Sequence, residues 1–180
     1  MLRIVFWLVL MSAFVLAQES PAPWLNTTPN TIAGYTQYVK PGQTVQQYMA
    51  TARSYASRAE KTYPTPFADK PLWRGAILNA ETAVRLSSTN PEAIGLLAEI
   101  YTKTKWWSRA YLAWRTLRIH HKLSQQQREQ AALSAAQVGY GYYRQGKMKI
   151  AIPYLEDSLE FKADPDVKKL LDRARVKVGG

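Results

Sequence analysis

From Thr44 onward, apolar and small residues recur three and four positions apart, with polar or proline punctuation at intervals of about one helix. This is the period of amphipathic helices. In "KPLWRGAILNAETAVRL", Leu72, Trp73, Ala76, Ile77, Ala80, Ala83 and Val84 share one face. Thr44 with Gln47, and Ser124 with Gln127, have the spacing of capping boxes. Asn90-Pro91-Glu92 marks another start, with proline at the first helical position, and Asp164-Pro165-Asp166 marks the last. Asp69 is expected to cap the helix beginning at Lys70. The pattern predicts helices over 44–63, 70–86, 91–104, 106–120, 125–145, 147–161 and 165–178. No alternating strand pattern follows residue 43, so the fold class is all-α, seven helices joined by short turns. The last helix carries Val167, Leu170, Leu171, Ala174 and Val178 on one side and cations on the others, as a solubilising C-terminal capping helix would.

The chain before Thr44 reads differently. "MLR" followed by an apolar run from Ile4 to Ala17 predicts a signal peptide over residues 1–17, cleaved after Ala17. As a helix this run spans roughly 21 Å, against roughly 30 Å of hydrocarbon, which disfavours an uncleaved anchor. Residues 18–42 hold four prolines and few charges, and predict an extended, Pro-rich lead-in to a helical domain over 43–180. Trp24, Tyr35, Tyr38 and Val39 are the residues able to dock it. Asn26-Thr27-Thr28 matches a glycosylation pattern that matters only in a eukaryotic secretory pathway.

The helices also repeat. "IGLLAEIYTKTKWWSRAYLAWRTL" and "AAQVGYGYYRQGKMKIAIPYLEDSLEF" align so that Leu97, Ala98, Tyr101, Ala110, Trp114 and Leu117 answer to Val138, Gly139, Tyr142, Ala151, Leu155 and Ser158. A small residue precedes a tyrosine by three, and an alanine follows that tyrosine by nine. Close approach of two helices explains the small positions, and aromatic side chains fill the remaining space. Gly146 is the turn glycine of the second copy, and Lys105 replaces it in the first. This pattern resembles the tetratricopeptide repeat, a helix-turn-helix unit, over roughly residues 44–178. The first unit, 44–61 with 71–88, fits loosely because "PTPFAD" lengthens its turn. The resemblance implies a right-handed superhelical array of about three units plus the capping helix. It also implies a concave face, lined by the first helix of each unit, that binds peptides or proteins; enzymatic activity is uncommon in such modules.

Composition adds a strong charge bias. The chain has 180 residues, 24 Lys and Arg against 13 Asp and Glu, a formal net charge of +11 and no cysteine. The charge favours anionic partners. The lack of cysteine excludes disulfides and thiolate chemistry, and in an exported protein it fits a bacterial envelope or periplasm.

The candidate residues follow from these readings. The inward positions implied by the resemblance form a partner-binding groove of Glu99, Lys103, Tyr140, Tyr143 and Arg144; tyrosines with arginine suit peptide recognition. The lysine and asparagine clamp of chaperone-binding relatives does not carry over. Lys103, Lys105, Arg109, Arg115, Arg118, Lys122 and Arg128 form a basic surface, with no acid between residues 100 and 128. In "KWWSRAYLAW", Trp107, Ala110, Tyr111 and Trp114 are expected in the core, leaving Trp106 as an exposed aromatic in the turn. His120-His121 and Ser124 lack the third group that a metal site or catalytic nucleophile needs. No cofactor, metal or enzymatic activity is expected. The expected function is an exported adaptor or scaffold for protein–protein interaction in an envelope complex. The alternative is an anionic polymer, cell-wall polysaccharide or nucleic acid, bound along the basic hairpin; export and the lack of any specific motif weigh against nucleic acid.

Overall fold

A computed structural model describes residues 35–179. Residues 1–17, expected to be a signal peptide, and the expected lead-in as far as residue 34, including Trp24 and Asn26-Thr27-Thr28, lie outside the described residues. Among the described residues eight helices follow one another: α1 Tyr35–Tyr38, α2 Val45–Thr62, α3 Pro71–Leu86, α4 Pro91–Lys103, α5 Trp107–His120, α6 Gln125–Arg144, α7 Met148–Phe161 and α8 Pro165–Gly179. There is no strand among the described residues, and none of their helices is long and apolar enough to cross a membrane. The seven long helices match the periods read from the sequence.

Their starts show why these boundaries hold. Thr44 and Ser124 each accept from the backbone N–H three residues on, while Gln47 and Gln127 reach back to the capping residue's own N–H. Asn90 Oδ1 accepts from the N–H groups of Glu92 and Ala93, and Asp164 Oδ1 from those of Asp166 and Val167. Each cap satisfies donors that the first helical turn leaves orphaned. The expectation for Asp69 does not hold. Lys70 is the N-cap of α3 and makes no side-chain cap, because Pro71 at the first helical position sets where the helix begins.

The lead-in is likewise not extended to its end. Tyr35–Tyr38 forms a helical turn on α3, where Asn79 Nδ2 donates to the Tyr38 carbonyl at 2.8 Å. Val39 is buried, and Tyr48 Oη holds the Lys40 carbonyl at 2.7 Å.

Each long helix packs on the next in sequence; α2 also touches α4, and α4 touches α6. α3 is buried nearly all round, from Gly75 to Val84, since α1, α2 and α4 all pack on it. That burial exceeds the single apolar face read from its sequence and takes Asn79 and Glu81 into the interior. The core continues through Met49, Ile94, Leu97, Tyr101 and Trp114, and the Trp114 indole N–H donates to Thr102 Oγ1 at 2.9 Å.

Two turns are near copies. The α4–α5 turn runs through Thr104 (φ −81°, ψ 6°), Lys105 (φ 57°) and Trp106 (φ −85°, ψ 64°). The α6–α7 turn runs through Gln145 (φ −80°, ψ 1°), Gly146 (φ 74°) and Lys147 (φ −90°, ψ 63°). In each, the residue after the left-handed one donates its N–H to the tyrosine carbonyl five residues back, Tyr101 at 2.9 Å and Tyr142 at 3.0 Å. Lys105 and Gly146 donate to the carbonyls of Thr102 and Tyr143, completing the Schellman arrangement that ends a helix. Around these turns the paired small and apolar positions share one environment, while of the paired tyrosines Tyr101 is buried and Tyr142 half-buried. Ala98, Ala110, Trp114 and Leu117 are buried, as are Gly139, Ala151, Leu155 and Ser158. A Cβ at Gly139 would lie 2.8 Å from Leu155 Cδ2, which is the close helix approach the small position requires.

Candidate interaction surfaces

The expected groove residues fall into separate groups. Glu99 and Lys103 line a cleft of about 230 Å³ between α2 and α4, together with Arg53 and Glu60. Lys103 forms an ion pair with Glu60. Burial raises the Glu99 carboxyl above its ordinary pKa, and the charges of Lys103 and Arg53 oppose that rise. Tyr140 is 46% exposed on α6, with the Arg144 guanidinium 5.9 Å from its ring. Tyr143 turns toward α8 instead. It packs among Leu155, Leu171 and Met148, and the Lys177 ammonium lies 5.0 Å from its ring centre. A tyrosine covered by a later helix is a packing residue, and α8 is what covers it.

The basic block is not uncompensated in three dimensions. Lys103 meets Glu60 of α2, Arg109 meets Glu81 of α3 at 3.0 Å, and Arg118 meets Glu160 of α7 at 3.0 Å. Arg118 also lies over the Phe161 ring, 4.6 Å from its centre. Lys105, Arg115, Lys122 and Arg128 are exposed. Lys122 and Arg128 join Arg118, His120 and His121 around a shallow cleft of about 430 Å³ where α5 ends. Among the described residues no group of three or more His, Asp or Glu side chains is placed to hold a metal. Ser124 is engaged as the α6 cap.

Trp106 occupies the α4–α5 turn and is 39% exposed, with packing partners on two helices. Its ring meets Tyr101 edge-on at 5.6 Å between centres, and the Arg109 guanidinium lies 4.1 Å over it. Beneath is a cleft of about 340 Å³ between the starts of α3 and α5, floored by Ile77 and Leu78 and reaching Glu81. Glu81 is the functional-looking residue that sequence reasoning missed. Its carboxylate is 1% exposed and accepts from Tyr101 Oη at 2.5 Å, Arg109 at 3.0 Å and Arg85 at 3.3 Å. Burial, with the adjacent Glu81 charge, pushes the Tyr101 phenol well above its usual range. The available sequence signal was an acid between Ala80 and Val84 on an otherwise apolar face, four residues before an arginine. A buried carboxylate held by two arginines and a tyrosine orders the Trp106 edge of the cleft rather than supplying a free acid or base.

A third cluster joins α5, α6 and α7. Tyr111 donates to Asp157, and burial followed by that carboxylate pushes its phenol up to about 12. Tyr154 meets Tyr111 edge-on at 5.1 Å and stacks on Tyr142 at 5.6 Å. The repeat tyrosine Tyr142 is only half-buried, unlike Tyr101 in the earlier copy.

No protein-family model matches this chain, and no curated protein sequence matches it.

Proposed function

We propose that this chain is an exported, tetratricopeptide-like adaptor that holds a protein partner against the face formed by its first helices, α2, α4 and α6. The observation that carries the reading is the near-identity of the α4–α5 and α6–α7 turns, in dihedral angles and hydrogen bonds, with the same buried small and apolar positions flanking both. Ala52 and Tyr55 on α2, with Ala76, Ala80 and Ala83 on α3, stand at the corresponding spacings in the first hairpin, which supports a third unit with a lengthened turn. A stack of such hairpins puts its first helices side by side, and the α2–α4 and α4–α6 contacts accord with that. The α2–α4 cleft offers Arg53 and Lys103 beside Glu60 and Glu99, a mixed-charge lining suited to a polar peptide segment. Export rests on the apolar run at 4–17. An anionic polymer along the 100–128 hairpin has less support, because acids of other helices neutralise Lys103, Arg109 and Arg118.

The test is affinity capture from the producing cell's envelope fraction, comparing the wild-type chain with Arg53→Ala/Tyr140→Ala. Both residues are exposed, so the fold should survive. The expected result is a discrete partner recovered by the wild type and lost by the variant. Equal recovery by both, with unchanged circular dichroism, would sink the groove reading.

A further inference from the structure

The helix order sorts the charges by edge. Because successive helices run antiparallel, one edge collects the ends of α2, α4, α6 and α8 and the starts of α3, α5 and α7. Contacts confirm the sorting: Glu60 meets Lys103, Arg74 shares a cleft with Trp106 and Arg109, and Lys177 covers Tyr143. Lys61, Lys103, Arg144 and Lys177 stand at the helix ends on this edge. Lys70, Arg74, Lys105, Arg109, Lys147 and Lys149 stand at the starts. Among the described residues the acids at these same helix ends and connections are Glu60, Asp69 and Glu99. The opposite edge carries Glu92, Glu129, Glu160, Asp164 and Asp166 amid its cations.

Helix stability explains only half of this. Cations at helix C-termini meet the negative end of the dipole and are stabilising there. Cations at helix N-termini are not, and acids are the favoured residues. Yet α3, α5 and α7 have no acid in the first turn and carry cations in or beside it; of the four helices starting on the opposite edge, α4 and α8 have Glu92 and Asp166 there, and α2 and α6 have none. This edge exposes apolar side chains between its cations, Phe67 at 49%, Trp106 at 39% and Val176 at 75%, whereas Leu86 and Ile119, exposed on the opposite edge, share it with the acids there. Cations alone suit any polyanion. Cations interspersed with exposed aromatic and aliphatic side chains suit an anionic bilayer, where the charges meet headgroups and the apolar groups enter the interface.

We propose that this edge docks on an anionic phospholipid surface, leaving the α2–α4 cleft to a protein partner. The experiment is sedimentation of the protein, as isolated from its own cells, with phosphatidylcholine vesicles with and without phosphatidylglycerol. Lys70→Gln/Lys147→Gln/Lys149→Gln removes three cations from the edge, and Lys122→Gln/Arg128→Gln/Lys168→Gln removes three from the opposite one. At about fivefold per cation, the first variant should bind phosphatidylglycerol vesicles roughly a hundredfold more weakly. The second should bind like the wild type. Equal weakening of both would mean that only total charge matters and would overturn the proposal, as would wild-type binding that ignores phosphatidylglycerol. Phe67→Ser/Val176→Ser separates lipid from polymer, since it should weaken vesicle binding while leaving heparin binding unchanged. Tight heparin binding without vesicle binding would reject the bilayer in favour of a soluble polyanion.

Discussion

Glu81 illustrates how much one residue's setting depends on its neighbours. A lone carboxylate in the interior is strongly disfavoured, and this one persists because Arg85, Arg109 and Tyr101 Oη all donate to it. The same network holds Arg109 over Trp106, so the aromatic turn residue is fixed from beneath by a charge on α3. Tyr111 offers a measurable consequence of the same kind. Its phenol titrates near 12 when folded, against about 10 for an exposed tyrosine. A raised folded value means that the protonated form is stabilised in the native state, so this contribution is complete below about pH 10 and is lost between about 10 and 12. Denaturation midpoints of the wild type should fall across that window, and Tyr111→Phe should fall less steeply. A Tyr111→Phe profile that parallels the wild type would contradict the assignment. The residue's burial was legible from its helical spacing; the Asp157 bond was not, since the two are 46 positions apart.

At the scale of elements, the two matched turns invite a reciprocal exchange. Lys105 and Gly146 occupy the same left-handed conformation, which costs a side-chain-bearing residue roughly 1 kcal/mol and glycine little. Nothing lies within 4 Å of a Cβ placed at Gly146, so Gly146→Ala isolates the backbone effect. Lys105→Gly is expected to raise unfolding stability by about 0.5–1 kcal/mol and Gly146→Ala to lower it by about 1 kcal/mol, as read from urea denaturation. Opposite signs at paired positions are the signature of one turn used twice. The sequence showed Lys105 in a glycine's place. The backbone shows that the turn accommodates it without changing shape. Helix starts were legible wherever a capping side chain meets its own first turn, as at Thr44, Asn90, Ser124 and Asp164. Asp69 misled because the following Lys-Pro pair moves the start one residue on.

The whole molecule is an ordered row of helices with cations on both edges and more of the terminal acids on one, and its destination is checked at the other end of the chain. If residues 1–17 are a cleaved signal, mass spectrometry of the protein from its own cells should find a mature form beginning at Gln18. A form retaining Met1 to Ala17 would indicate an anchor or a chain that stays inside. What could be read without coordinates was local. Helical period, caps, and small residues facing aromatics act within a few positions, and the backbone hydrogen bonds that reward them span four. Seven helices and a repeated hairpin follow from those short distances. Charge pairing obeys a longer range. Lys103 reaches Glu60 across 43 positions, Arg109 reaches Glu81 across 28 and Arg118 reaches Glu160 across 42. An acid-free run between residues 100 and 128 is therefore partly neutralised in space, while the cations left at the helix starts of α3, α5 and α7 gather on a single edge. Only the packing of non-adjacent helices could decide both, because electrostatic partners are chosen by distance in space and not along the chain.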